Sequence, residues 1–181
     1  MPSKRYVLGI RCGSFVNRCL GSISTGEILA PIVRDLAEAA QESAAFAQPK
    51  GNGFFFSAKH EMPSSYHHLY LYVINTKIAV NGYGILSAAF SKTSKDNSEF
   101  RAAVLNQGYY ISREEKGTRV IKPVFFSDEG YTQFAGVIGI TTIARTDPSG
   151  EIINQVIQHG ALAKNLLVKK LKFGDSNEKT S

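Results

Sequence analysis

Cysteine is scarce in this chain of 181 residues: Cys12 and Cys19 are the only two. Two cysteines make no disulfide framework, so the fold must rest on apolar burial, and a chain of this length can bury a sizeable core. No uninterrupted apolar run of roughly 18 residues occurs, which excludes a membrane-spanning helix of the usual kind. The opening Met1-Pro2-Ser3-Lys4-Arg5 is not followed by a clean apolar leader, because Arg11, Asn17 and Arg18 interrupt it. An intracellular, cytoplasmic protein without membrane partners is the expectation. Neither a Gly-x-x-x-x-Gly-Lys loop nor a Gly-x-Gly-x-x-Gly turn is present, so no motif supports a nucleotide cofactor, and none is expected. Internal repeats and low-complexity segments are also missing.

What remains is ordinary globular composition, 43% hydrophobic and 20% charged. It points to one domain over residues 1–174, followed by a short polar tail at 175–181. The formal charge is +6, and the basic residues gather at the two ends. Lys4, Arg5, Arg11 and Arg18 precede the first acid, Glu27, and Lys164, Lys169, Lys170 and Lys172 crowd the other end. Such ends suit an anionic polymer.

The clearest structural statement lies between Phe134 and Leu171. Residues 134–143 are small or apolar on both alternating sets, the pattern of a central strand covered on each side. Gly136 and Gly139 inside it imply a bulge or a close neighbour. Asp147 then reads as a helix cap and Pro148 as the first helical residue. Ile153, Val156, Gly160, Ala163, Leu167 and Leu171 recur at helical spacing and form an apolar stripe. Gly174 is a natural stop.

Earlier in the chain, Tyr6 to Ile10 reads as a first strand, and Gly13 and Gly21 act as breakers. Ser24 and Glu27 have capping-box spacing. They precede a helix whose apolar face is Ile28, Leu29, Ile32, Val33, Leu36 and Ala40. Pro31 kinks or starts that helix, Asp35, Glu38 and Glu42 form a solvated face, and Pro49-Lys50-Gly51 ends it. Phe54-Phe55-Phe56 and Tyr66 to Ile74 read as strands. Asn81-Gly82 signals a hairpin between residues 78–80 and 83–85. Glu99 to Asn106 reads as a short helix with Phe100, Val104 and Leu105 inward. A second hairpin joins Tyr109–Ile111 to Val120–Phe126 across Glu114 to Gly117, with Pro123 at an edge or bulge. The sum is an α+β domain: a largely antiparallel sheet with one long helix in the N-terminal half and another at the C-terminal end packed on it.

Three stretches carry candidate chemistry. On the strand 66–74, Leu69, Leu71 and Val73 form one face and His68, Tyr70 and Tyr72 the other. Ranked rings on an open sheet stack unpaired bases, while the alternative leaves these tyrosines in a core under a helix. His60, His67 and His68, with Glu61 among them, bring imidazoles together, but His67 and His68 point to opposite faces and their spacing matches no standard metal site. An acid–base role in ribonuclease chemistry is open to one of them. Cys12 and Arg18 have the spacing of a phosphate loop, in which a thiolate attacks while backbone amides and the arginine hold phosphate. This spacing, with Asp147-Pro148, resembles the cysteine phosphatases of low molecular weight. Cys19 stands where that family has a hydroxyl, and Gly21 falls in its following helix.

The reading drawn from these residues is a non-catalytic RNA- or single-stranded-DNA-binding protein. His68, Tyr70 and Tyr72 stack on bases, and Lys4, Arg5, Arg11, Arg18, Lys169 and Lys170 meet phosphates. Its rivals are a structural subunit of a viral or other homo-oligomeric particle, and a hydrolase at Cys12/Arg18 or at the histidines.

Overall fold

The strand read as central is the middle of the sheet. The computed structural model describes the backbone of residues 10–50, 53–63, 82–91, 97–114, 117–128, 131–142 and 147–174, and within this set the side chains of all but 10–24, 127–128, 131 and 169–174. Along the chain lie α1 (Ile10–Ala40), β1 (Ser43–Lys50), β2 (Gly53–His60), α2 (Gly82–Phe90), α3 (Ser98–Gln107), β3 (Tyr110–Glu114), β4 (Gly117–Asp128), β5 (Tyr131–Thr142) and α4 (Gly150–Gly174). The strands form one five-stranded sheet in the order β2-β1-β5-β4-β3, with every neighbouring pair antiparallel. The expected α+β class holds, with the two long helices packed on the sheet.

β5 has strands on both sides and helices above and below, which is why its residues 135–142 are all buried. Its two interior glycines have separate uses. Gly136 has φ of +152°, a conformation that favours glycine. It sits beside a register shift, where Val124 faces Gly136 but Phe125 faces Phe134, leaving Ala135 as the extra residue of a bulge. At Gly139 a Cβ would come within 2.3 Å of the Val120 carbonyl oxygen, so only glycine lets β4 approach this closely.

Helices α1 and α4 cover one face. Leu29, Val33, Leu36 and Ala37 of α1 meet Ala44, Phe46, Ala58, Val120, Val124, Ile138 and Ile140 of the sheet, and Val156, Ala163 and Leu167 of α4. Of the α4 stripe read from the sequence, Val156, Ala163 and Leu167 are core on the Ile138 side of β5 and Ile153 packs against them, while the side chain of Leu171 lies outside those described. Gly160 keeps α4 close to β4, since a Cβ there would lie 2.5 Å from Lys122 Cδ. The cap of α4 is Ser149, not Asp147: the Ile152 N–H donates to Ser149 Oγ at 3.3 Å and the Ile153 N–H to the Ser149 carbonyl at 3.1 Å. Asp147 instead accepts from Arg113 Nε at 3.1 Å, and Ser149, directly before the first helical residue and an equally good cap type, takes the cap.

Four further expectations are corrected. The capping-box residues Ser24 and Glu27 lie inside α1, which begins at Ile10 and passes through Gly13 and Gly21. A helical glycine costs only about 1 kcal/mol, which the rest of so long a helix can offset. Ile10 is thus helical, and Tyr6 to Gly9 lie outside the described residues. The helix ends at Ala40, not at Pro49: Gln41 takes a positive φ of 53°, and β1 follows at once. Ala44, Phe46 and Ala47 are buried on alternate faces of β1, and a strand covered on both sides shows no alternation to separate it from helix. Leu105 of α3 is 54% exposed, not inward, while Val104 is buried.

The fourth correction concerns Asn81-Gly82. Gly82 opens α2 rather than turning a hairpin. A Cβ at Gly82 would fall 2.6 Å from Ser112 Cβ and 2.8 Å from Ile121 Cδ1. The glycine is needed so that the helix can start directly on the sheet, a use its sequence context does not separate from a tight turn. The hairpin across Glu114 to Gly117 is present as β3 and β4. Pro123 lies beyond the last β3 partner, Ile121↔Tyr110, and just before the bulge, where β4 no longer needs an outer partner.

Candidate functional site

The second face of the sheet, under α2, is chemically divided. At one end are rings. Phe54 and Phe56 of β2 stack edge to face with centroids 5.5 Å apart, and Phe56 meets Tyr83 of α2 at 5.1 Å. Phe90 of α2 meets Phe125 at 5.4 Å and Phe134 at 5.6 Å. At the other end the register sets Ser112, Arg119, Thr141 and Ser43 side by side across β3, β4, β5 and β1. Residues paired across antiparallel strands point to the same face, so this row is a polar band, and all four residues are buried.

Arg119, 7% exposed, forms an ion pair with Glu114. Glu114 Oε1 also accepts from the Gly82 N–H at 2.9 Å and from Ser112 Oγ at 3.1 Å. One carboxylate thus joins β3, β4 and the first N–H of α2, a group with no partner inside its own helix. Tyr83 follows, 2% exposed. Burial pushes its phenol well above the ordinary tyrosine range, with Arg119 and the Thr141 hydroxyl acting in the opposite direction. The Tyr83 hydroxyl lies toward Thr141 without a hydrogen bond of normal geometry, and the Ser87 hydroxyl one turn later is buried without a partner. Buried hydroxyls are nearly always satisfied, so these two, which lie together, call for an explanation; Ser57 Oγ, also buried without a partner, lies apart from them beside α1.

Two other polar groups stand apart. Lys122 donates to the Gly108 carbonyl at 2.8 Å, and burial, then the nearby Lys164, lowers its ammonium below the ordinary lysine range. At the end of α1, burial raises the Glu42 carboxyl, opposed by a hydrogen bond with the Thr142 side chain.

None of the residues proposed from sequence is part of this cluster. Lys4, Arg5, His67, His68, Tyr70 and Tyr72 lie outside the described residues. Arg11, Arg18 and Cys12 are placed in α1, and Lys169 and Lys170 in α4, by backbone alone. His60 ends β2. Among the described residues no group of three or more His, Cys, Asp or Glu could hold a metal ion. Sequence reasoning missed Arg119, Glu114, Ser112, Tyr83 and Ser87. A signal for the first three existed, because opposite charges and a hydroxyl fall on one face of the hairpin that the sequence itself implied.

No protein-family model and no curated protein matches the chain. Solved structures do match in fold. An IclR homolog from Microbacterium hydrocarbonoxydans, complexed with 4-hydroxybenzoate, is similar with a TM-score of 0.66 at 13% identity, over 88% of this chain and 75% of that one. The IclR of Thermotoga maritima gives 0.62 at 18%, over 93% and 76%. The C-terminal domain of a Vibrio cholerae protein assigned as a transcriptional regulator gives 0.58 at 15%, over 75% and 93%.

These likenesses overturn the function read from the sequence. The fold is shared with solved IclR structures and with the C-terminal domain of a transcriptional regulator, which leaves the RNA- or single-stranded-DNA-binding protein, the particle subunit and the hydrolase without support. The structure adds physical reasons. The rings of Phe54, Phe56, Tyr110 and Phe134 pack under α2, and those of Phe46 and Phe126 against the α1 and α4 core, so none of these six forms an open platform. A phosphate loop needs a turn of free backbone amides ahead of its helix, whereas Cys12 to Arg18 is helix throughout, and the sheet is antiparallel. No helix among the described residues is long and apolar enough to cross a membrane.

Proposed function

We propose that this chain is a small-molecule-sensing domain of the IclR type, taking its ligand on the α2 face of the sheet at the polar end. The observation that carries this is the buried cluster of Arg119, Glu114, Tyr83 and Ser87, with hydroxyl groups left unsatisfied. Sites for small molecules combine apolar and aromatic walls with a few convergent polar groups, and the ring-lined end beside the polar band supplies both. The shared fold with a regulator complexed with 4-hydroxybenzoate supports the same reading. The division into one domain at 1–174 with a polar tail at 175–181, and a cytoplasmic setting, belong to this proposal.

Thermal melting of the chain against a panel of small aromatic and aliphatic polar compounds tests it. A binder should raise the Tm saturably, because ligands that bind only the folded state stabilise it by mass action. Tyr83→Phe and Ser87→Ala should weaken that response while leaving the fold intact. If a compound stabilises the wild type and both variants equally, its site is elsewhere and this placement fails.

A further inference from the structure

The polar end is built like an anion site that is already filled. A buried guanidinium, a helix N-terminal N–H and a serine hydroxyl converge on one point, the donor set that holds a carboxylate in many proteins. Here the carboxylate comes from the chain itself. We propose that Glu114 acts as a built-in anion occupying this position, so that the ligand of the site is uncharged and recognised by hydroxyl groups, not by Arg119. This rests on the small-molecule reading above and adds the charge of the ligand to it.

Three observations support the assignment. Arg119 is buried, so its charge needs a counterion, and Glu114 provides it within the same hairpin. Glu114 Oε1 takes both the Gly82 and the Ser112 hydrogen bonds, leaving those two donors engaged. A second carboxylate beside Glu114 would meet a like charge in a poorly solvated place, which is strongly unfavourable. The groups left for an incoming molecule are neutral: Ser87 Oγ has no partner, and the Tyr83 hydroxyl lacks a well-formed bond. Both are on α2 four residues apart, on one side of the helix.

The test removes the internal anion and offers one from solution. Glu114→Ala deletes the CH₂–COO⁻ portion of the side chain, which acetate closely replaces. Melting curves are recorded for wild type, Glu114→Ala and Glu114→Gln in sodium acetate and in sodium chloride at matched ionic strength. The wild type should melt at the same temperature in both salts. Glu114→Ala should melt lower in chloride and recover in acetate, with a saturable rise of about 4–8 °C. Glu114→Gln fills the same space and should show no acetate-specific rise. If Glu114→Ala does not fold in chloride, its refolding from urea is compared in the two salts, and recovery confined to acetate supports the proposal. An acetate response equal in wild type and variant, or no acetate effect on the melting or refolding of Glu114→Ala, overturns it. The result is separable from the small-molecule reading: neutral compounds that stabilise the wild type while acetate does nothing to Glu114→Ala would retain the site and reject the built-in anion.

Discussion

The two faces of the sheet are made of the same five strands yet are filled by opposite rules. Under α1 and α4 the buried hydrophobic residues are aliphatic apart from Phe46, with Thr118, Thr142 and His159 buried at the margin. Under α2 the sheet holds rings at one end and, at the other, a buried ion pair with hydroxyls around it. The first arrangement is what stability alone would select. The second is not, because replacing a buried ion pair by well-packed apolar groups is often neutral or stabilising, and an unsatisfied hydroxyl costs free energy with no structural return. The difference supports the proposed placement of the ligand: among the described residues the α2 face alone combines a buried ion pair with two neighbouring unsatisfied hydroxyls, whereas Ser57 Oγ beside α1 and Gln48 Oε1 are isolated buried atoms without a partner.

The largest effect should come from the face that only stabilises. Phe46 is fully buried between α1 and the sheet, and Phe46→Ala should cost about 3–5 kcal/mol in urea denaturation. The response to any ligand of the α2 face should persist at temperatures where the variant remains folded. Loss of ligand response out of proportion to stability would blur the division between the faces.

Arg119→Met comes next. It strands Glu114 beside the helix start without its counterion, for a loss of about 3 kcal/mol. The double variant Arg119→Met, Glu114→Leu should be more stable than Arg119→Met alone, because no charge is then left unpaired. A double variant as unstable as the sum of the singles would show that Arg119 and Glu114 are not coupled, and the contrast between faces would lose its main support.

How far the sequence disclosed these two faces follows from what each is made of. The α1/α4 face is written in helical period: Leu29, Val33 and Leu36 in α1 and Val156, Ala163 and Leu167 in α4 are buried where their spacing places them. β5 was legible because both its alternating sets are small or apolar. β1 was not, since the alanine-rich stretch from Ser43 to Ala47, buried on both sides, has no alternation to mark it. The start of α2 was hidden by Gly82, whose close approach to Ser112 and Ile121 depends on contacts made thirty and more residues away. The site was harder still. Arg119 and Glu114 look like solvent-facing charges of a hairpin until α2 is laid over them, and the aromatic strand that drew the first functional reading lies outside the described residues.

A smaller effect is expected at Ser87, which is buried without a partner. Ser87→Ala should leave stability unchanged or raise it, by no more than about 1 kcal/mol, since only the desolvation penalty of the hydroxyl is removed. Its binding response should fall. A clear loss of stability would mean that the hydroxyl has a structural partner, and the α2 face would then resemble the other one more than it does here.

The smallest effect lies at the edge of the α1/α4 face, where α1 passes into β1. Burial raises the Glu42 carboxyl, while its bond with the Thr142 side chain works against that. A carboxyl raised in the folded state holds its proton more tightly there than in the unfolded chain. Its contribution to stability is therefore fully present below the unfolded value and is lost as pH rises through the folded one. At neutral pH the ionised Glu42 is thus a mild burden, and Glu42→Gln, which keeps the shape and a hydrogen-bonding end, should melt slightly higher than wild type. Below the ordinary carboxylate range both side chains are neutral and the two melting curves should converge. Melting curves for the pair across pH 3 to 7 check this. A gap that widens toward acid instead would mean that the Thr142 bond outweighs burial, and that this edge of the α1/α4 face favours the ionised carboxyl.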